Sequence, residues 1–179
     1  MPGAARFFAD LATLHVVSRH LHAARAVQCI AAFEAGTITK EQSIDAMRIT
    51  RAIARGWATT LRTGRAPFDL WAGDLGGAWD YERIKTLQAF ARAARANVDA
   101  APGDAELLGL ADAIDALIHH EADYPTARVL LTADVHVPSL AALPVDLPAL
   151  PAGALEADAQ RTAPPAPDRQ LSLQGAEAA

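Results

Sequence analysis

A single cysteine, Cys29, occurs in the 179 residues. That excludes an intrachain disulfide and any multi-cysteine zinc site, and it fits a reducing, cytoplasmic compartment. Aromatic residues make up only 6% of the chain, and β-branched runs are short, so little is present that suits a pleated, half-buried surface. No long uninterrupted hydrophobic run exists. The longest apolar stretch, Val135 to Leu155, contains four prolines and Asp146; a membrane-spanning helix is excluded there, because proline breaks the backbone hydrogen bonds that lipid demands. The apolar stretch Phe7 to Val17 is interrupted by Asp10 and has no ordinary cationic n-region, so no signal peptide is expected. Enzyme motifs are missing as well. The glycines of 73–77 lack the Lys-Ser/Thr pair of a phosphate-binding loop, no nucleophile elbow occurs, and neither Cys29 nor Ser43 has an evident activating partner. Neither catalysis nor a cofactor is expected.

What is there is alanine and a split in charge. Residues 1–100 carry thirteen Lys/Arg against nine Asp/Glu, whereas residues 101–179 carry three against twelve, so the net charge of −5 hides a basic half and an acidic half. Such asymmetry points to an electrostatic partner, either a phosphate backbone or the acidic half of another copy.

Alanine-rich sequence with helical periodicity predicts an all-α fold: an antiparallel helical bundle of about four helices, followed by a Pro-rich, largely disordered C-terminal tail. The first helix is expected from about Ala4 to Ala35, with Phe7, Leu11, Leu14, Val17, Leu21, Ala24, Val27 and Ile30 at three- and four-residue steps. Thr39 and Gln42 have capping-box spacing and open a second helix that should stop near Gly64. A third is expected from Trp79 or Asp80 to Val98, and a fourth from its N-cap Asp104 to about Glu121, with Pro125 marking the end. Ala127 to Val137 reads as a short extended segment. Residues 1–134 then form the bundle, 135–151 a Pro/Leu-rich strap or a segment that orders on binding, and 152–179 a disordered tail.

Two helical stripes carry the cations. Arg48, Arg51, Arg55 and Arg62 share one face of the second helix, opposite Ala46, Ile49, Ile53, Trp57 and Leu61, and no acid lies between Ala46 and Phe68. Lys85, Arg92 and Arg95, with Gln88, repeat the pattern on the third helix. Guanidinium forks at such spacing suit a DNA or RNA backbone. The same stripes also suit an acidic protein partner, a solvated face, or pairing with Asp112 and Asp115 of the fourth helix. Phe68, Trp71 and Trp79 either plug the bundle end or offer stacking surfaces beside the cations.

The six histidines do not converge by spacing. His20 and His22 lie two apart and His119 and His120 are adjacent, so each pair diverges on a helix; only a cross-helix pairing of His15 with His119 or His120 could gather a metal, and none is expected. Asp69, Asp74 and Asp80 do not match a calcium loop.

Near the C-terminus, Gln170-Leu171-Ser172-Leu173 follows a semi-extended Ala163-Pro164-Pro165-Ala166-Pro167 spacer. The tetrapeptide resembles the motif with which many bacterial proteins dock on the β sliding clamp of DNA replication. The resemblance implies that Gln170 fixes one end by hydrogen bonding and that Leu171 and Leu173 enter an apolar cleft. That family usually continues with a large apolar residue where this chain has Gln174 and Gly175. The whole reading is a non-enzymatic helical accessory protein of a nucleoprotein or replication-linked assembly. Two alternatives stand beside it: a self-assembling structural protein whose acidic fourth helix meets the basic helices of the next copy, and a small histidine-dependent helical enzyme.

Overall fold

A computed structural model describes residues 7–67, 77–148 and Gly153. Every regular element among them is helical: α1 (Leu11–Glu34), α2 (Lys40–Thr63), α3 (Asp80–Ala100), α4 (Ala105–Glu121), α5 (Pro125–Thr132) and α6 (Pro138–Ala142).

The start of α1 corrects the expectation from periodicity. Asp10 interrupts the apolar pattern because it is the N-cap, accepting from the Thr13 amide at 3.0 Å and from the Thr13 hydroxyl at 2.7 Å. At the other end Gly36 takes φ +70°, a left-handed conformation that lets its amide reach Phe33 O at 2.9 Å and ends the helix. The capping box of α2 forms as its spacing predicts, with Thr39 Oγ1 accepting from the Gln42 amide at 3.2 Å and the Thr39 amide donating to Gln42 Oε1 at 2.8 Å. Asp104 caps α4.

The second correction concerns 125–132, which is helix rather than extended chain. Pro125 does not end α4 so much as open α5, where its fixed φ suits the first helical position and its missing N–H costs nothing. Ala127, Leu130 and Leu131 of α5 then pack on Ile84, Ala122 and Tyr124 as a small satellite cluster.

The long helices associate mainly as two pairs, α1 with α2 and α3 with α4, and α1 also packs on α4. Leu14, Val17 and Leu21 of α1 meet Ile49, Ile53 and Trp57 of α2, Leu87 and Phe90 of α3, and Leu110, Ile114 and Leu117 of α4 in one core. Every residue from Gly109 to Leu117 is buried, so α4 is the central helix. The α1 seam leaves this core towards its C-terminus: Val27 and Ile30 are exposed.

The strap packs. Val137 and Leu147 are buried within the main core, and several carbonyls of the strap accept from side chains of the long helices. Arg25 of α1, 1% exposed, donates to Ser139 O (3.1 Å), Leu143 O (2.7 Å) and Pro144 O (3.2 Å). Gln28 adds a bond to Pro144 O, and Asn97 of α3 one to Leu147 O at 2.8 Å.

Candidate nucleic-acid interface

The four α2 arginines separate into one structural residue and three exposed ones. Arg48 is held by Asp45 (2.7 Å) one turn earlier and by Glu82 (2.6 Å) at the start of α3, and it also donates to Gly77 O. Both carboxylates hold its guanidinium more firmly charged, Glu82 foremost. Arg48 therefore ties α2 to α3 and leaves the stripe. Arg51, Arg55 and Arg62 are exposed, and no ion pair or side-chain hydrogen bond engages them among the described residues.

The face is wider than the sequence stripe, because α1 contributes its edge. His22 Nδ1 lies 3.0 Å from Thr50 Oγ1 on α2, and Thr50 Oγ1 itself lies 3.3 Å from Met47 O. With the hydroxyl proton directed to that carbonyl, His22 donates. Position 22 thus sits against position 50, beside Arg51. His15, Arg19 and His22 follow one another at steps of four and three, so exposed Arg19 shares their side of α1. Neither helix supplies an acid between Leu11 and Phe33 or between Ala46 and Pro67. The outcome is a surface with Arg19, Arg51, Arg55 and Arg62, none of which forms an ion pair among the described residues.

Burial lowers the pKa of both His15 and His22, and the neighbouring cations Arg19 and Arg51 push the same way. Burial also lowers His20, against a smaller opposing effect of the Pro148 carbonyl, 3.4 Å away. A histidine whose folded pKa lies below its unfolded value of about 6.5 leaves the unfolded chain binding more protons. Its contribution is complete above that value and is lost as pH falls below it. Thermal melts should accordingly give a lower midpoint at about pH 5.5 than at about pH 7.5, and His22→Asn should narrow that difference. A midpoint unchanged across this range would contradict the assignment.

The α3 stripe divides too. Arg95 bridges Asp112 (2.9 Å) and Asp115 (2.5 Å) of α4, the internal pairing that the sequence allowed, and both carboxylates are nearly buried. Lys85 Nζ bonds Gln88 Oε1 at 3.1 Å, while exposed Arg92 stands against the strap. Trp79 is 63% exposed and does not plug the bundle, whereas Trp57 is fully buried in the main core. Phe68 and Trp71 lie outside the described residues, as do Asp69, Asp74 and Gln170-Leu171-Ser172-Leu173.

His120 stacks on Phe8 with ring centroids 4.1 Å apart, meets Trp57 edge-on at 5.2 Å, and places Nε2 2.8 Å from Phe8 O. His119 and His136 are exposed. Among the described residues, no group of three or more His, Cys, Asp or Glu side chains could hold a metal ion. Asp80 pairs with Arg83 at 2.9 Å and accepts from the Tyr124 hydroxyl. Burial pushes the Cys29 thiol up, against a weaker pull from Arg25, so the thiolate is disfavoured.

Sequence reasoning missed two buried arginines, Arg25 and Arg83. Arg83 Nε bonds Glu121 Oε2 at 3.0 Å, and Nη1 donates to Ala78 O at 3.1 Å. Burial works to lower the Arg83 pKa, but the Glu121 and Asp80 carboxylates outweigh it and keep the cation charged. Glu121 moves up through burial, opposed by Arg83. The Trp57 indole N–H is near enough to favour the charged carboxylate, although it makes no hydrogen bond of good geometry.

No helix among the described residues is long and apolar enough to cross a membrane. No protein-family model, curated protein or solved structure matches the chain.

Proposed function

We propose that this chain is a non-enzymatic accessory protein that binds the phosphate backbone of a nucleic acid through the α1–α2 face, using its four long helices as an antiparallel bundle that holds the face rigid. The supporting observation is the surface bearing Arg51, Arg55, Arg62 and Arg19, which have no ion-pair partner among the described residues. Arg51 and Arg62 are eleven residues apart, or about 16 Å along a helix at its usual rise, which spans about five steps of a duplex strand. Three guanidinium groups on one rigid line follow a strand without reading its bases. The tail peptide Gln170-Leu171-Ser172-Leu173, by its resemblance, serves to recruit the bundle to a replication clamp. Self-assembly through α4 has less support, because Asp112 and Asp115 are already occupied by Arg95.

The variant Arg51→Gln/Arg55→Gln/Arg62→Gln tests the reading by fluorescence anisotropy with labelled oligonucleotides. All three positions are exposed, so the fold should be unaffected. Affinity should fall on the order of 10- to 100-fold at low salt, about 1–3 kcal/mol in all. The paired variant Lys85→Gln/Arg92→Gln, on a different helix, should lose far less. Equal losses from both variants would reassign the contact to net charge alone.

A further inference from the structure

We propose that the groove between α3 and the strap is a binding site for a small organic anion with an apolar body, such as an aryl or short acyl phosphate. The groove comprises two adjacent clefts that both border Arg92 and Leu140. The polar end is a cleft of about 510 Å³ whose charged lining is Lys85, Arg92, Asp134 and His136. The other end, about 360 Å³ and called the apolar end for its aliphatic side chains, is lined by Ala89, Ala93, Leu140, Pro144 and Val145 together with Arg92, so its wall is mixed in polarity. Both volumes lie within the range of small-molecule sites.

The chemistry of the polar end selects an anion. Two permanent cations and an imidazole face one carboxylate, and no ion pair joins Asp134 to Lys85 or Arg92. Gln88 fixes the wall: its Oε1 holds Lys85 Nζ at 3.1 Å while its Nε2 donates to Leu131 O, the end of α5, at 2.9 Å. Arg92 has no internal partner among the described residues, so its fork is free for a phosphate or carboxylate.

The apolar end is open for a structural reason. Ala89 and Ala93 put only methyl groups on the α3 floor, and the strap cannot collapse onto them, because Arg25 and Gln28 hold its carbonyls from α1 and Asn97 holds Leu147 O from α3. A trough that offers cations to a head group at one end and aliphatic side chains to a body at the other fits an amphipathic small anion better than a bare ion. The site shares no residue with the α1–α2 face and does not rest on the nucleic-acid reading.

The probe is 1-naphthyl phosphate, titrated into the full chain by calorimetry, with inorganic phosphate and 1-naphthol as its separate halves. Binding at one equivalent is expected, at least ten-fold tighter than either half. Arg92→Gln should weaken it at least ten-fold. Ala89→Leu, filling the apolar end, should weaken the naphthyl phosphate but leave inorganic phosphate unchanged, with circular dichroism confirming that each variant is folded. Arg51→Gln/Arg55→Gln/Arg62→Gln should bind the probe like the wild type, even where it loses nucleic acid. No binding by the wild type, naphthol binding as tightly as its phosphate, or unchanged affinity in Arg92→Gln would each overturn the proposal.

Discussion

Arg83→Met is expected to destabilise the folded chain by about 3–5 kcal/mol at neutral pH, the cost of leaving a buried charge unpaired. Arg83 is 0% exposed and Glu121 2%, so no water can replace the lost partner. The methionine fills the space but leaves the carboxylate without its cation and Ala78 O without its donor. The pH dependence separates this cause from lost packing. Glu121 is already raised by burial, and without Arg83 its folded pKa rises further above the unfolded value of about 4.3. A group with a raised folded pKa favours the folded state below its unfolded pKa and loses that contribution as pH climbs through the folded one. Urea titrations should therefore show a deficit that shrinks on acidification. Combining Arg83→Met with Glu121→Leu should recover much of the stability, because replacing a whole buried pair by apolar groups is often neutral or better. A double variant as unstable as the single one would show that packing, not charge, dominates here.

Arg25→Leu should release the strap, at a cost of about 2–4 kcal/mol for the charge-assisted bonds less the desolvation of the cation. Arg25 has no carboxylate partner among the described residues; burial lowers its pKa, and its compensation comes from the carbonyls of Ser139, Leu143 and Pro144 and from Gln28 Oε1 at 2.7 Å. Ser139 O would keep the Leu143 amide and Pro144 O would keep Gln28 Nε2, whereas Leu143 O would lose the donor recorded for it. Without Arg25 the strap retains Val137 and Leu147 as its buried anchors. Amide exchange in 137–148 should accelerate strongly while α1 to α4 remain protected, since opening would be local. Arg25→Lys should give an intermediate result, keeping the charge but not the fork that spans three carbonyls. Uniform acceleration across all helices would contradict a role confined to the strap.

Periodicity and capping chemistry made the four long helices legible. Thr39 with Gln42 and Asp104 predicted their caps, and the α1 seam through Leu14, Val17 and Leu21 predicted the core. Two errors came from reading a residue by type alone. By type Asp10 is a break in an apolar run, yet it stands three residues before Thr13, in N-cap register, and Pro125 is by type a stop, yet it suits the first turn of a new helix. The buried arginines carried a visible signal. Arg83 falls in register with Leu87, Phe90 and Ala94, and Arg25 follows Leu21 and precedes Cys29 at four-residue steps, so each occupies a core position of its helix. A cation in an apolar seam requires a partner from elsewhere in the chain. That partner, Glu121 or the strap carbonyls, is set by tertiary packing and has no local sequence mark.

The basic stripes show the same limit. Arg48, Arg51, Arg55 and Arg62 are equivalent on a helical wheel, yet Arg48 alone meets Glu82 because α3 begins beside it. Conversely, Arg19 joins the exposed face only because α1 lies along α2 with His22 against Thr50. Which cations are left over is decided by helix pairing, and that remainder is what supports the proposed function.

The salt dependence of binding tests that function most directly. Anisotropy titrations of a labelled oligothymidine between about 50 and 200 mM salt should give a log–log slope near −2 to −3, as expected when three or four phosphates of a single strand are neutralised at about −0.7 each. The variant Arg51→Gln/Arg55→Gln/Arg62→Gln should bring the slope to between zero and about −0.7, the share of Arg19 alone. A wild-type slope near zero, or one that the three substitutions leave unchanged, would contradict a phosphate-binding α1–α2 face.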